Sequence, residues 1–126
     1  MARVLVAEDD LEMRRLVVEA LRKDGHEVHE AADGGRLLVY LAEAFERDSM
    51  LGDIDVVVCD VRMPVCSGLD LLEKLVEARW RVPFILMTAF GDDDTRRHAE
   101  SLGAVYFDKP LALADLRAAV TRLADR

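Results

Sequence analysis

A short apolar run that ends abruptly in an acid constrains the fold of this chain more than any other feature. Val56–Cys59 reads VVVC, Asp60 follows it, and a turn at Pro64 leads to an amphipathic stretch that begins near Ser67. An uninterrupted apolar strand bounded by turn residues is typical of a parallel sheet that is covered on both faces. Ligands of open α/β sheets bind at the carboxyl ends of the strands, which is where Asp60 stands.

The rest of the chain repeats this pattern of a short apolar strand followed by an amphipathic helix. The predicted strands are Arg3–Ala7, His26–Ala31, Val56–Cys59, Val82–Met87 and Ala104–Phe107. The predicted helices run over 11–23, from the Asp33 cap to about 45, over 67–79, over 92–102, and through a last segment containing Leu113, Leu116, Val120 and Leu123. Five strands alternating with five helices predict a parallel α/β sandwich with right-handed crossovers.

Apolar residues at helical spacing predict which helix faces lie against the sheet. The predicted inward residues are Met13, Leu16, Val17, Ala20 and Leu21 in the first helix, Leu37, Leu38, Leu41, Ala44 and Phe45 in the second, and Leu69, Leu72, Leu75 and Val76 in the third. The fourth helix has a thin apolar face with little beyond Ala99 and Leu102. Little burial therefore holds that helix, and we expect it to shift readily.

Length and charge narrow the function classes. The 126 residues suit one domain over 1–126, and a net charge of −8 argues against direct binding of nucleic acid. No apolar run approaches the roughly 20 residues of a membrane span. The N-terminal segment MARVLVAEDD has no long apolar stretch, so we expect no secretory leader. We therefore expect a cytoplasmic protein without membrane contact, in which Cys59 and Cys66 are unpaired thiols.

Polar residues follow four of the predicted strands and should meet at one edge of the sheet. They are Glu8 and Asp9, Asp60, Thr88, and Lys109. Two carboxylates 4 Å apart repel by about 4 kcal/mol at an effective dielectric constant of 20, so the cluster requires protons or a cation. Oxygen ligands with a phosphate nearby suit Mg²⁺. Lys109 and Thr88 could then neutralise and position a phosphoryl group that Asp60 accepts as an acyl phosphate.

The segments LVAEDD, CDVRMPVCSG, LMTAFG and YFDKP resemble the receiver domain of two-component response regulators, and this resemblance covers essentially the whole chain. It implies a flavodoxin-like (βα)5 three-layer sandwich with a five-stranded parallel sheet in the order 2-1-3-4-5. It also implies a phosphorylation-activated switch of phosphorelay signal transduction. Such a switch accepts its phosphoryl group from a histidine kinase or a histidine phosphotransfer protein, and catalyses only its own phosphorylation and dephosphorylation.

The resemblance also implies the metal ligands. Asp9 resembles a direct Mg²⁺ ligand, and Glu8 resembles the acid that acts mainly through water. Asp60 resembles both the phosphoacceptor and a metal ligand. The backbone carbonyl of Arg62 resembles the third protein ligand.

Further roles follow from the downstream motifs. Thr88 matches the hydroxyl that follows the phosphoryl group, and Ala89 matches the small residue that leaves room for it. Lys109 matches the phosphate-binding lysine, and Lys109-Pro110 resembles the cis peptide of the family. Tyr106 stands where the family carries its switch aromatic.

The same resemblance predicts the readout. We expect Thr88 to move toward the phosphoryl group and Tyr106 to turn into the space that it leaves. The face formed by the fourth helix, fifth strand and fifth helix would then control a partner or an output domain, and it is the candidate surface for a homodimer.

Arg62 and Phe90 flank the pocket and could obstruct the attacking water, so we expect slow self-dephosphorylation.

Two other function classes fit less well. A hydrolase of the haloacid dehalogenase type needs an acid two residues after its nucleophile, where this chain has Arg62. A flavodoxin-like nucleotide carrier needs a phosphate-binding loop after the first strand, where this chain has EDDLEMR. Within the receiver interpretation, both a free-standing single-domain receiver and the regulatory part of a longer regulator stay open.

Overall fold

Five strands and five helices alternate along the chain in a computed structural model that describes residues 2–46, 54–79, 82–89 and 91–125. The strands are β1 Arg3–Ala7, β2 Glu27–Ala31, β3 Val56–Asp60, β4 Phe84–Thr88 and β5 Val105–Asp108. The helices are α1 Leu11–Lys23, α2 Gly34–Glu46, α3 Gly68–Glu77, α4 Asp93–Ser101 and α5 Leu113–Ala124. None of the helices described over these ranges is long and apolar enough to cross a membrane.

All strand pairs are parallel, and the sheet order is β2-β1-β3-β4-β5. The predicted flavodoxin-like order is thus confirmed. Side chains alternate between the two faces of each strand, so the sheet separates two apolar clusters. One cluster packs Leu37, Leu71 and Ala99 of α2, α3 and α4 against the sheet, and the other packs residues of α1 and α5 against the opposite face.

The central strand β3 accounts for the apolar run that ends in Asp60. All five of its residues are buried, and Val56, Val57 and Val58 alternate between the two clusters. Burying a valine side chain contributes about 1.5–3 kcal/mol, so this short strand provides a large share of the core. A polar residue is accommodated only at its last position, Asp60.

Three strands extend one residue further toward their carboxyl ends than the sequence predicts. The added residues are Asp60, Thr88 and Asp108, because Asp60 pairs with Met87 and Thr88 pairs with Asp108 in the ladder. The polar side chains at this edge therefore project from strand backbone, which holds them more rigidly than a loop does.

Three strands, β2, β4 and β5, begin later than predicted. β2 begins at Glu27 because the backbone N–H of His26 donates to the carbonyl of Leu21 at the end of α1. β4 begins at Phe84 because Pro83 has no N–H to donate to the ladder, although its carbonyl accepts a hydrogen bond from the N–H of Val57. β5 begins at Val105 because the backbone N–H of Ala104 donates to the carbonyl of Ala99 at 3.1 Å.

The prediction of which helix residues face inward is wrong for three residues. Leu16, Leu38 and Val76 are 53%, 42% and 44% exposed. The spacing rule marks a wide apolar stripe, and residues at its edge extend past the side of the sheet. In α1 the buried residues are Val17, Val18 and Leu21. The side chains of Ala44 and Phe45, predicted to face inward, lie outside the described part of the structure.

The close approach of α3 to β3 requires glycine at position 68. A Cβ on Gly68 would lie 2.6 Å from the carbonyl oxygen of Asp60 and 2.8 Å from Cys59 Sγ. The N–H of Gly68 donates to the carbonyl of Val61 at 3.0 Å, which fixes the start of α3 beneath the end of the strand.

We expect Gly68→Ala to lower the free energy of unfolding by about 1–3 kcal/mol, because a backbone atom must move to admit the methyl group. Gly35→Ala is the matched control, since its Cβ would meet only movable side-chain atoms of Asp33 and Val65 at 3.3 Å. Alanine is also the better helix former, so Gly35→Ala should match or exceed the wild type. Urea unfolding measures both, and equal losses in the two variants would contradict the close approach.

Candidate functional site

Three carboxylates meet at the carboxyl edge of the sheet, as the strand pattern predicts. Glu8, Asp9 and Asp60 each offer an oxygen, and these oxygens all lie within 4.8 Å of one another. The register that pairs Ala7 with Cys59 brings the ends of β1 and β3 to the same level. Glu8 and Asp60 are buried, whereas Asp9 is exposed.

Lys109 joins this cluster from the end of β5. Its Nζ donates to Glu8 Oε1 and to Asp60 Oδ2, the latter at 2.7 Å. Its backbone N–H donates to the carbonyl of Thr88 at 2.9 Å, and the Lys109–Pro110 peptide bond is cis. One residue thus links the ends of β1, β3, β4 and β5.

Burial and charge shift the pKa values of this pair. Glu8 is fully buried, and burial raises the pKa of its carboxyl group; the hydrogen bond from Lys109 opposes that rise, and the charge of Asp60 adds to it. Burial alone would lower the pKa of Lys109, but its hydrogen bonds to Asp60 and Glu8 outweigh burial and the pKa is raised. The ammonium group therefore stays charged among the acids.

The carboxylate of Asp60 is held by donors on both oxygens. Oδ1 accepts a hydrogen bond from the backbone N–H of Arg62 at 2.9 Å, and Oδ2 accepts the bond from Lys109. Its neighbour Cys59 is fully buried, and burial raises the pKa of that thiol well above its usual value. Cys59 is therefore an unreactive buried thiol, and Asp60 remains the predicted nucleophile at the end of β3.

The loop between β3 and α3 is fixed against α2. The N–H of Gly34 donates to the carbonyl of Pro64 at 3.1 Å, and a Cβ on Gly34 would clash with the Cys66 backbone. Cys59 and Cys66 are both free thiols, as predicted. Arg62, whose carbonyl is the predicted metal ligand, lies at the start of this loop with an exposed side chain.

Arg14 contacts the site, which its sequence context did not predict. Its Nη1 donates to the carbonyl of Glu8 at 2.8 Å, and its Nε donates to Glu30 Oε1 at 3.2 Å. The side chain is only 15% exposed. Arg14 thereby ties the loop that carries Glu8 to α1 and β2. An arginine on an amphipathic helix is usually solvated, so the only available signal was its position four residues after Asp10.

The predicted switch residues lie next to each other. Thr88 is 1% exposed, and Ala89 beside it is exposed. A Cβ on Gly91 would lie 1.5 Å from Tyr106 Oη and 2.6 Å from Thr88 Cγ2, so the tyrosine hydroxyl is already within van der Waals range of Thr88. Phe90, predicted to flank the pocket with Arg62, lies outside the described residues.

The oxygen cluster fits a small hard cation. Opposite oxygens of an octahedral Mg²⁺ ion lie about 4 Å apart, which the cluster accommodates with small side-chain movements. Glu8, Asp9 and Asp60 carry three formal negative charges against the single charge of Lys109, and a divalent cation would balance this excess.

A doubly wound sheet with buried acids and a lysine at its carboxyl edge is the arrangement expected of a phosphorylation-activated signalling switch. The family model of the response regulator receiver domain matches residues 4–121, and the chain belongs to this family. The two-component assignment made from the sequence motifs is therefore confirmed.

Individual proteins show the same likeness. Transcriptional regulatory protein PdtaR of Mycobacterium tuberculosis is 35% identical over 119 residues, which are 94% of this chain and 54% of that protein. Sporulation initiation phosphotransferase F of Bacillus subtilis is 28% identical, with 95% of this chain and 91% of that protein covered. A receiver domain structure from Clostridium thermocellum is 30% identical with a TM-score of 0.87, covering 100% of this chain and 96% of that one. The chain thus spans about half the length of PdtaR.

In metal-free protein, we expect the stability of Glu8→Gln relative to the wild type to increase as pH rises from about 4.5. The raised pKa of Glu8 means that the native state holds this proton more tightly than the unfolded chain, whose value is near 4.5. The wild type therefore loses stability as pH rises through the window between the two pKa values. Urea unfolding at pH 4.5 and pH 7 with a chelator measures this. A difference between the two proteins that does not change with pH would contradict the shift.

Proposed function

We propose that Asp60 is the phosphoacceptor of this receiver domain. The observation that carries the proposal is the pair of donors on its carboxylate, from Lys109 and from the backbone of Arg62, at the carboxyl end of a fully buried strand. These contacts orient a nucleophile toward the edge where the other acids lie. Membership of the receiver family supports the same role.

The donor of the phosphoryl group is the phosphohistidine of a kinase or of a histidine phosphotransfer protein. An oxygen of the Asp60 carboxylate attacks phosphorus, the P–O bond of an acyl phosphate forms, and the P–N bond breaks. The electron pair of that bond stays on the imidazole nitrogen. Lys109 and the Thr88 hydroxyl bind phosphoryl oxygens, and exposed Ala89 leaves room for them. The domain catalyses only this step and the later hydrolysis.

Asp9, Asp60 and the backbone carbonyl of Arg62 would hold Mg²⁺, with Glu8 acting mainly through water. The ion supplies charge neutralisation for the transferred group when it is bound. Arg14 holds the Glu8 carbonyl and so keeps this side of the site in place.

Tyr106, whose hydroxyl already lies beside Thr88, would follow Thr88 toward the phosphoryl group and so report the phosphorylation state to the surface formed by α4, β5 and α5. Only Ala99 of α4 is buried, so this helix can shift at low cost. This surface would control a partner or an output domain and would form the homodimer contact. We place the domain in the cytoplasm, as one unit over 1–126, with no direct contact to nucleic acid.

Incubation with acetyl phosphate and Mg²⁺ should add one phosphoryl group, about 80 Da by intact mass, because the Asp60 carboxylate is oriented for attack. A chelator should abolish the gain by removing the ion that offsets the charge excess. Asp60→Asn should show no gain, whereas Asp94→Asn, an exposed acid of α4, should behave as the wild type.

A gain that survives in Asp60→Asn would overturn the phosphoacceptor assignment. If no gain occurs with acetyl phosphate, a phosphorylated histidine kinase is the second donor. Failure with both donors, in protein that unfolds cooperatively, would contradict the proposed function.

Arg62→Ala should accelerate loss of the phosphoryl group, because the long exposed side chain next to Asp60 obstructs the attacking water. Phe90→Ala is expected to act in the same direction. The measurement is the decay of phosphoprotein after removal of the donor. The expectation fails if both variants decay no faster than the wild type.

A further inference from the structure

Tyr106 lies in a position that its own hydroxyl group does not stabilise. Its Oη is buried against Gly91 and beside the methyl group of Thr88, and it has no hydrogen-bond partner among the described residues. A buried hydroxyl without a partner favours movement of the side chain toward water. Another contact must therefore hold the ring in place.

Arg96 of α4 supplies that contact. Its guanidinium carbon lies 5.2 Å from the centre of the Tyr106 ring, and its Nη2 donates to Asp108 Oδ2 at 2.6 Å. Tyr106 and Asp108 lie two residues apart in β5 and so share one face of the strand. The guanidinium spans this face, covering the ring and anchored by the carboxylate.

Gly91 makes the covered position possible. A Cβ at this residue would lie 1.5 Å from Tyr106 Oη, so any side chain there would expel the ring. Gly91 leaves the space, and Arg96 closes it from the side of α4. The position of the ring is thereby tied to the position of a helix that buries only Ala99.

We propose that Arg96 is a positioning residue that holds Tyr106 against Thr88 and couples that position to α4 before phosphorylation. This inference rests on the proposed function of Tyr106 as the switch aromatic. Asp108 precedes Lys109, so the anchor of Arg96 lies one residue from the lysine that binds Asp60. Movement at the acid cluster would reach α4 through this ion pair.

Proton NMR of the unphosphorylated protein, with Thr methyl groups and Tyr rings selectively labelled, tests the placement. The wild type should show a nuclear Overhauser effect between the Thr88 methyl group and the Tyr106 ring. Arg96→Met keeps the aliphatic stem but removes the guanidinium, so this signal should be lost. Asp108→Asn, which removes the anchoring charge, should weaken it.

Two further variants serve as controls. Arg97→Met removes an exposed ion pair to Asp94 on the same helix and should leave the signal unchanged. Gly91→Ala should abolish the signal by filling the space. Retention of the wild-type signal in Arg96→Met and Asp108→Asn would overturn the proposal, as would its loss in Arg97→Met or its persistence in Gly91→Ala.

Addition of acetyl phosphate and Mg²⁺ to Arg96→Met separates this inference from the proposed function. Return of the Thr88–Tyr106 signal, with the mass gain on Asp60, supports both. A mass gain without return of the signal contradicts the switch role of Tyr106 and leaves the placement by Arg96 supported. The unfolding midpoint of each variant confirms that the compared proteins are folded.

Discussion

The ammonium group of Lys109 holds the functional edge of this sheet together. It binds Glu8 and Asp60, while the backbone N–H of the same residue donates to Thr88, so four strand ends converge on one residue. Losing one partner of a buried ion pair costs about 3–5 kcal/mol, because the remaining charge stays buried without compensation. The contacts of Lys109 therefore orient Asp60 and also make the burial of the Glu8 carboxylate possible.

The same edge carries more negative charge than folding alone would favour. Three carboxylates face one ammonium group, and burial raises the pKa of Glu8 because the ionised form is poorly solvated there. Natural proteins accept such local costs at functional sites and offset them elsewhere, here in the apolar β3 and its neighbours. The excess charge is also what would attract a divalent cation to the site.

Much of this architecture could be predicted because parallel strands buried on both faces leave short apolar runs, each ended by a polar residue. The convergence of Glu8, Asp60 and Lys109 follows from that pattern and from parallel pairing. The spacing rule failed at Leu16 and Leu38 because it measures helix geometry and not where the sheet ends. The contacts of Arg14 and Arg96 were not predicted for a related reason. Their sequence neighbours suggest solvated helix positions, whereas their partners lie on strands that are distant in sequence.

The shallow packing of α4 has a consequence for divergence among related sequences. Ala99 is its single buried residue, and the other positions of the helix contribute little to the core. Substitutions at such surface positions usually change stability by less than about 0.5 kcal/mol. Mutations at positions of α4 other than Arg96 can therefore accumulate while the acid cluster and both cores stay intact. If α4 forms part of the partner surface, as proposed above, such mutations would alter which partner is recognised. In duplicated copies of such a gene, new specificity could arise there at almost no thermodynamic penalty.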